Sequence, residues 1–205
     1  MNSTLIEKIL NPLRIPFVIK EDGTSQTKLT NTGRVGFFVE RQFGISANNS
    51  REPDLGKWEI KSAQLNKKIT IGTMPNSEFN NIYKNSVHNW SDSEPYKKMK
   101  NTLLIIYEKL QSRPEPKYIM QGWGACSLDS MNDETKKILQ EDYEFICNYI
   151  KQNSTSRDNL TSYLRTYGSI SGTYLSLAYK GDGQNGYNYP AWSFQASFTK
   201  KLNHA

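Results

Sequence analysis

The sequence predicts an α/β fold, a mixed central β-sheet flanked by helices, on three observations. Residues 102–107, TLLIIY, are a continuous apolar run, the mark of a strand buried on both faces. Residues 133–151 carry Ile138, Leu139, Tyr143, Ile146, Tyr149 and Ile150 at helical spacing behind an acidic first turn; that pattern is an amphipathic helix. Shorter runs at 58–63, 68–73, 118–123, 173–179 and 192–198 read as further strands.

Taken in order, residues 3–10 form a short helix with Ser3 or Thr4 as its cap and Leu5, Ile6, Ile9 and Leu10 on one side. Pro12 and Pro16 end it. Residues 21–32 are a polar loop. Residues 33–43 form a second helix, with Thr32 as cap, Val35, Phe38 and Val39 on one face and Gly44 as its stop. Residues 45–51 are an Asn/Ser-rich loop, and 64–67 turn the chain between two strands. Residues 76–96 are polar and show no period. Gly122 and Gly124 make the 118–123 strand short or bulged. Residues 181–190 are a Gly/Asn/Tyr loop, and 198–202 a last helical turn.

A chain of 205 residues is one domain, or one domain with a small subdomain. Lys and Arg number 26 against 20 Asp and Glu, a net charge of +6 that suits a polyanionic partner. Abundant Asn, Ser, Thr and Tyr side chains hydrogen-bond to phosphates and base edges; an Asn- and Lys-rich genome produces the same bias. Cys126 and Cys147, with His88 and His204, are too few and too scattered for a disulfide framework or a zinc cluster. No apolar run reaches membrane-spanning length, and residues 1–14 lack a signal-peptide core. A cytoplasmic protein is the expectation.

The chemistry concentrates in PDLGKWEIKS, residues 53–62. In a strand, Glu59 and Lys61 point to one face, and Trp58 and Ile60 to the other, into a core. Asp54, in a Pro/Gly-marked turn, folds back over the polar face. Two carboxylates suit Mg²⁺, and an adjacent ammonium can hold a water or neutralise charge at phosphorus. The same spacing also suits a solvated strand edge. Glu40 shares a helix face with Gly36, Phe37 and Phe43, so it either points inward toward this pair or is a surface charge.

The stretch NTGRVGFFVERQFGISANNSREPDLGKWEIKS, residues 31–62, resembles the MutH mismatch-repair nicking endonuclease and its restriction-enzyme relatives. The four-residue gap between Asp54 and Glu59 is closer to the MvaI/BcnI restriction endonucleases. KKMKNTLLIIY (97–107) resembles the family's basic segment and buried strand, with Lys98 at a further active-site lysine. SFQASFTKKL (193–202) resembles its closing segment, but Ser193 stands where MutH-like tails carry a Tyr; Tyr187 or Tyr189 is a substitute.

The resemblance implies a restriction-endonuclease-like fold, a single PD-(D/E)XK nuclease domain over 1–205 with a small DNA-recognition subdomain around 155–192. It implies a type II restriction enzyme, a site-specific endonuclease hydrolysing phosphodiester bonds of double-stranded DNA and leaving 5′-phosphates. Asp54 and Glu59 would hold Mg²⁺, with Mn²⁺ as an alternative ion; Lys61 would position water, and Glu40 and Lys98 would support them. A monomer is implied, with a cognate DNA methyltransferase acting on the same site. A MutH-like nickase and an inactive DNA-binding module are the competing readings.

Phosphate contacts are expected from Lys67, Lys68, Lys97, Lys98 and Lys100. Base reading is expected from residues 179–189, with Lys180, Gln184, Asn185, Tyr187 and Tyr189, and from Asn48, Asn49 and Arg51 before the catalytic turn. Arg157 and Arg165 would line the opposite wall of a cleft.

Overall fold

A computed structural model describes residues 2–19, 33–45, 53–85, 87–111, 115–181 and 188–202. It holds two four-stranded sheets. The first has the order β1 (Phe17–Val18), β5 (Lys117–Ser127), β4 (Asn101–Gln111), β2 (Glu59–Gln64). It is mixed: β2 runs parallel to β4, and the other pairs are antiparallel. The second, β3 (Ile69–Thr73), β8 (Asn188–Phe194), β7 (Leu175–Gly181), β6 (Ser169–Ser171), is wholly antiparallel.

The apolar run lies in β4 and is buried on both faces. Leu103, Ile105 and Tyr107 join a core with Ile6 and Leu10 of α1 (Ser3–Leu10), Val35 and Val39 of α2 (Gly33–Gln42), and Ile60. Leu104 and Ile106 face the opposite way, into a larger core with β3, β7, β8, α5 (Asp133–Asn153) and α6 (Arg157–Tyr167). The period-2 alternation of a strand thus serves two cores at once.

Several expectations are corrected. The strands around 58–63 and 68–73 exist, and a turn joins them through Asn66 at φ 60, but they part into different sheets. The parallel β2–β4 pairing requires a long crossover, and the chain supplies it through β3, α3 (Asn76–Lys84) and α4 (Glu94–Met99). These helices occupy the stretch that shows no period. Strand β5 is bulged as expected, with register shifts opposite β4, yet runs 11 residues. The α1 cap is Asn2, whose side chain accepts the Leu5 N–H, rather than Ser3 or Thr4. Strand β6 and helix α6 are additions to the elements expected from the sequence.

Helix α5 is capped by Asn132 and buries Leu139, Tyr143, Ile146, Cys147 and Ile150. It also buries Asp142, whose carboxylate accepts the backbone N–H groups of Thr173 (2.8 Å), Tyr174 (2.6 Å) and Leu175 (2.9 Å). A Cβ on Gly172 would lie 2.1 Å from Asp142 Oδ1, so only glycine fits there. This contact ties the β6–β7 turn to α5. Among the described residues no helix is long and apolar enough to cross a membrane.

Candidate active site

The site is built from a turn, a strand and two helices. Leu55 and Trp58 exchange backbone hydrogen bonds of 2.9 and 3.0 Å around Gly56-Lys57. This two-residue turn needs a positive φ at its first position, and Gly56 provides it at 62°. The tight reversal brings Asp54 back to the start of β2, where Asp54 Oδ2 accepts the Ile60 N–H at 2.9 Å. Trp58 closes this turn and stays half-buried; it is not the core residue the alternation predicts. Ile60 is, at 2% exposure.

On the opposite face of β2, Lys61 Nζ lies 2.5 Å from Glu59 Oε1. A second amine, Lys98 Nζ from α4, lies 3.5 Å from the same oxygen. The Glu59 side chain is buried, Lys61 is mostly covered, and Lys98 is 39% exposed. Burying a carboxylate is costly unless opposite charge meets it, and two ammoniums do so here. Helix α4 is fixed by its Ser93 cap and by buried Pro95 and Met99, which leaves Lys98 on its side toward the cleft.

Helix α2 adds the third carboxylate. Val35 and Val39 bury its inner face. Gly36 allows close approach to β2, since a Cβ there would sit 3.4 Å from Ser62 Oγ. One turn on, Glu40 is half-buried beside the pair. Its carboxyl is pushed above the ordinary range, first by burial and then by the negative charge of Asp54, with Lys61 and Lys98 opposing. The electrostatics of Glu40 therefore register Asp54, Glu59, Lys61 and Lys98 as one cluster.

Glu59 and Lys98 of this cluster line a cleft of about 280 Å³ between the two sheets. Pro53 and Glu59 form one wall, Gly72, Thr73, Pro75 and Trp192 the other, and Lys97 and Lys98 the end. Asp54 Oδ1 and Glu59 Oε2 have no hydrogen-bond partner among the described residues. Two hard oxygen donors, Glu59 in the cleft wall and Asp54 at the head of the same strand, fit a divalent cation, which is commonly held by one or two carboxylates and water. Among the described residues no three His, Cys, Asp or Glu side chains form a ready-made metal cage.

Of the basic residues expected on DNA, Lys97 and Lys98 reach the cleft, Lys97 with an ion pair to Glu94 at 3.2 Å. Lys67 and Lys68 are exposed on the β2–β3 turn. Lys100 is not brought to the cleft: it pairs with Asp129 at 2.9 Å, whose side chain lines a separate hollow with Tyr96 and Trp90. Lys180 is exposed near the end of β7, in register with Tyr189. Arg157 stacks 4.8 Å over the Tyr189 ring and donates to the Met74 carbonyl at 3.0 Å. Arg165 is exposed on α6. Asn48, Asn49, Arg51, Gln184, Asn185 and Tyr187 lie outside the described residues. Sequence reasoning missed the second-sheet wall of the cleft. Its one local signal is Gly72, a lone glycine inside a strand.

Comparison with known proteins gives a family and a fold. The family model described as the MvaI/BcnI restriction endonuclease family matches residues 17–120. Among solved structures, one described as a restriction endonuclease MvaI–cognate DNA substrate complex aligns with TM-score 0.51 at 11% identity, covering 98% of this chain and 97% of that one. At that identity the likeness is one of fold. No curated protein sequence matches the chain.

Proposed function

This chain belongs to the MvaI/BcnI restriction endonuclease family and is a type II site-specific deoxyribonuclease, and we propose that it cleaves both strands of duplex DNA in the inter-sheet cleft with Mg²⁺ held by Asp54 and Glu59. The observation that carries the reading is the meeting of Lys61 and Lys98 on one oxygen of a buried Glu59, beside an Asp54 held in place by the Ile60 N–H.

Mg²⁺ when bound supplies Lewis-acid neutralisation at the scissile phosphate, and Mn²⁺ suits the same donors. The other steps belong to the chain. Lys61 donates an N–H hydrogen bond to the attacking water and aligns it with phosphorus, and its charge opposes the negative charge that builds there. The water gives up a proton to solvent as its oxygen bonds to phosphorus, the bond from phosphorus to the 3′ oxygen breaks, and the 3′ oxygen takes a proton from solvent. The products are a 5′-phosphate and a 3′-hydroxyl. Lys98 and Lys97, at the cleft end, neutralise phosphate oxygens as the strand enters. Glu40, kept less acidic by burial, would accept a hydrogen bond from water beside Asp54 and Glu59. Lys67, Lys68 and Lys180 contact backbone phosphates, and Tyr189, braced by Arg157, faces the duplex from the second sheet. That sheet, with residues 155–192, is the recognition side of a single domain. The protein works as a monomer in the cytoplasm, where a methyltransferase acting on the same sequence protects host DNA.

Incubation of the purified protein with unmethylated phage DNA and Mg²⁺ is expected to give discrete fragments, whose ends locate the site. Intact DNA across buffers and metal ions, from a protein that is folded, rejects the nuclease reading. Nicks without double-strand breaks reject the two-strand part alone.

A further inference from the structure

The second-sheet wall of the cleft carries an irregularity. The pairing of β3 with β8 shifts register between Thr70 and Gly72, and Gly72 then pairs with Trp192. Bulges re-aim strands and gather beside active sites. A glycine inside a strand costs about 0.5–1 kcal/mol relative to alanine, so it asks for a reason. Backbone conformation is not the reason, because Gly72 is absent from the positive-φ glycines of the chain. What a side chain there would meet is Lys98: a Cβ on Gly72 would lie 3.6 Å from its Cδ, an ordinary contact, so alanine fits, and a larger side chain extends from a point already touching the Lys98 stem. The Lys98 stem passes over the bulge and delivers its amine to within 3.5 Å of Glu59 Oε1. Helix α4 thus provides the amine, the first sheet the carboxylate, and the second sheet the track between them.

We propose that Gly72 is a positioning residue for DNA cleavage, its small size leaving the track along which Lys98 reaches Glu59, so that the second sheet sets the place of an active-site amine. The proposal rests on the nuclease reading above, which puts Glu59 and Lys98 at the reacting phosphate. Size, not backbone freedom, is what it makes decisive. The Cβ of alanine at 3.6 Å is an ordinary contact and leaves Lys98 in place. The two further methyls of valine fill the track and turn the stem toward solvent. Valine suits a strand, so the fold tolerates it.

The test compares wild type, Gly72→Ala, Gly72→Val, Lys98→Met and the Gly72→Val/Lys98→Met double variant on a duplex oligonucleotide carrying the mapped site, with Mg²⁺. Gly72→Ala is expected to stay within about twofold of wild type, because the contact is unstrained. Gly72→Val is expected to lose ~10²-fold in kcat, the cost of misplacing a catalytic group by about an ångström, with KM and Tm held. The double variant is expected to match Lys98→Met, since two changes acting through one amine do not add. A crystal structure of metal-free Gly72→Val, a readout independent of turnover, is expected to show Lys98 Nζ beyond salt-bridge reach of Glu59. Full kcat in Gly72→Val, a loss that adds to that of Lys98→Met, or Gly72→Ala as damaging as Gly72→Val overturns the proposal while leaving the nuclease reading intact. A folded wild type that cuts no DNA takes both down.

Discussion

Glu59 in β2 and Asp142 in α5 are buried to nearly the same degree, 4% and 6% exposed, yet their surroundings assign them opposite work. Asp142 is gripped by three backbone N–H groups of one turn, with no room beside it even for a methyl on Gly172. Its oxygens are committed to geometry. Glu59 is met by two lysine amines from different elements, both on one oxygen, in the wall of a cleft. Its second oxygen is left over. A charge satisfied by rigid backbone locks a fold; one satisfied by long side chains at an opening keeps capacity for a ligand. Burial of charge alone does not mark an active site; the kind of partner does.

The widest gap between the two carboxylates is expected in turnover. Glu59→Ala or Asp54→Ala should lower cleavage at least ~10³-fold, on the scale of losing a group that stabilises transition-state charge, while Tm in EDTA stays near wild type. Ca²⁺ in place of Mg²⁺ should allow binding in a gel-shift assay without cutting; efficient cutting in Ca²⁺ contradicts the metal role given to this pair. Next comes stability. Asp142→Ala orphans three N–H donors and should cost about 3–5 kcal/mol in urea unfolding, the range for breaking a buried charged network. If Glu59→Ala destabilises as much as Asp142→Ala, the contrast collapses. Asp142→Asn keeps one acceptor oxygen and should cost about 1–3 kcal/mol, sharpening the claim that the N–H groups are what Asp142 serves.

The smallest effect is the pH response of Glu40. Its carboxyl is raised from an ordinary 4.5 by burial first and Asp54 second, so the folded protein holds this proton longer than the unfolded chain. The stabilisation from that difference is complete below the unfolded value and is lost as pH rises through the folded one. Metal-free wild type should therefore lose stability as pH rises above the ordinary carboxyl value of 4.5, relative to a Glu40→Gln variant whose amide does not titrate. Glu40 is only half-buried, and solvent screening keeps the difference small. Parallel Tm curves for the two proteins above that pH contradict the assignment.

What the sequence made legible, and what it hid, divides along the same line. The TLLIIY run identified the central strand because burial on both faces leaves a continuous local mark. The closeness of Glu59 and Lys61 follows from two-residue alternation, and the return of Asp54 from the Pro and Gly around it. Lys98 entered through the family resemblance, since nothing local ties it to Glu59 39 residues away by number. Asp142 reads as one more polar residue beside Glu141, because its partners lie 31 to 33 residues further on. The parting of β2 and β3 into separate sheets is a long-range choice too. Each strand shows the same period whichever neighbour it takes. Trp58 departs from the alternation because it lies one residue before the strand, in a turn with its own hydrogen bonds.

Strand β4 has one more consequence, for anyone wishing to re-engineer the protein. Leu103 and Ile105 belong to one core, and Leu104 and Ile106 to the other, so the two halves share a spine. Heating should melt them in a single transition, and the second sheet expressed alone would lose the Leu104 and Ile106 contacts that help cover its inner face. The second sheet is therefore not a cassette to be cut out and grafted; a transplant would have to carry one side of β4 with it.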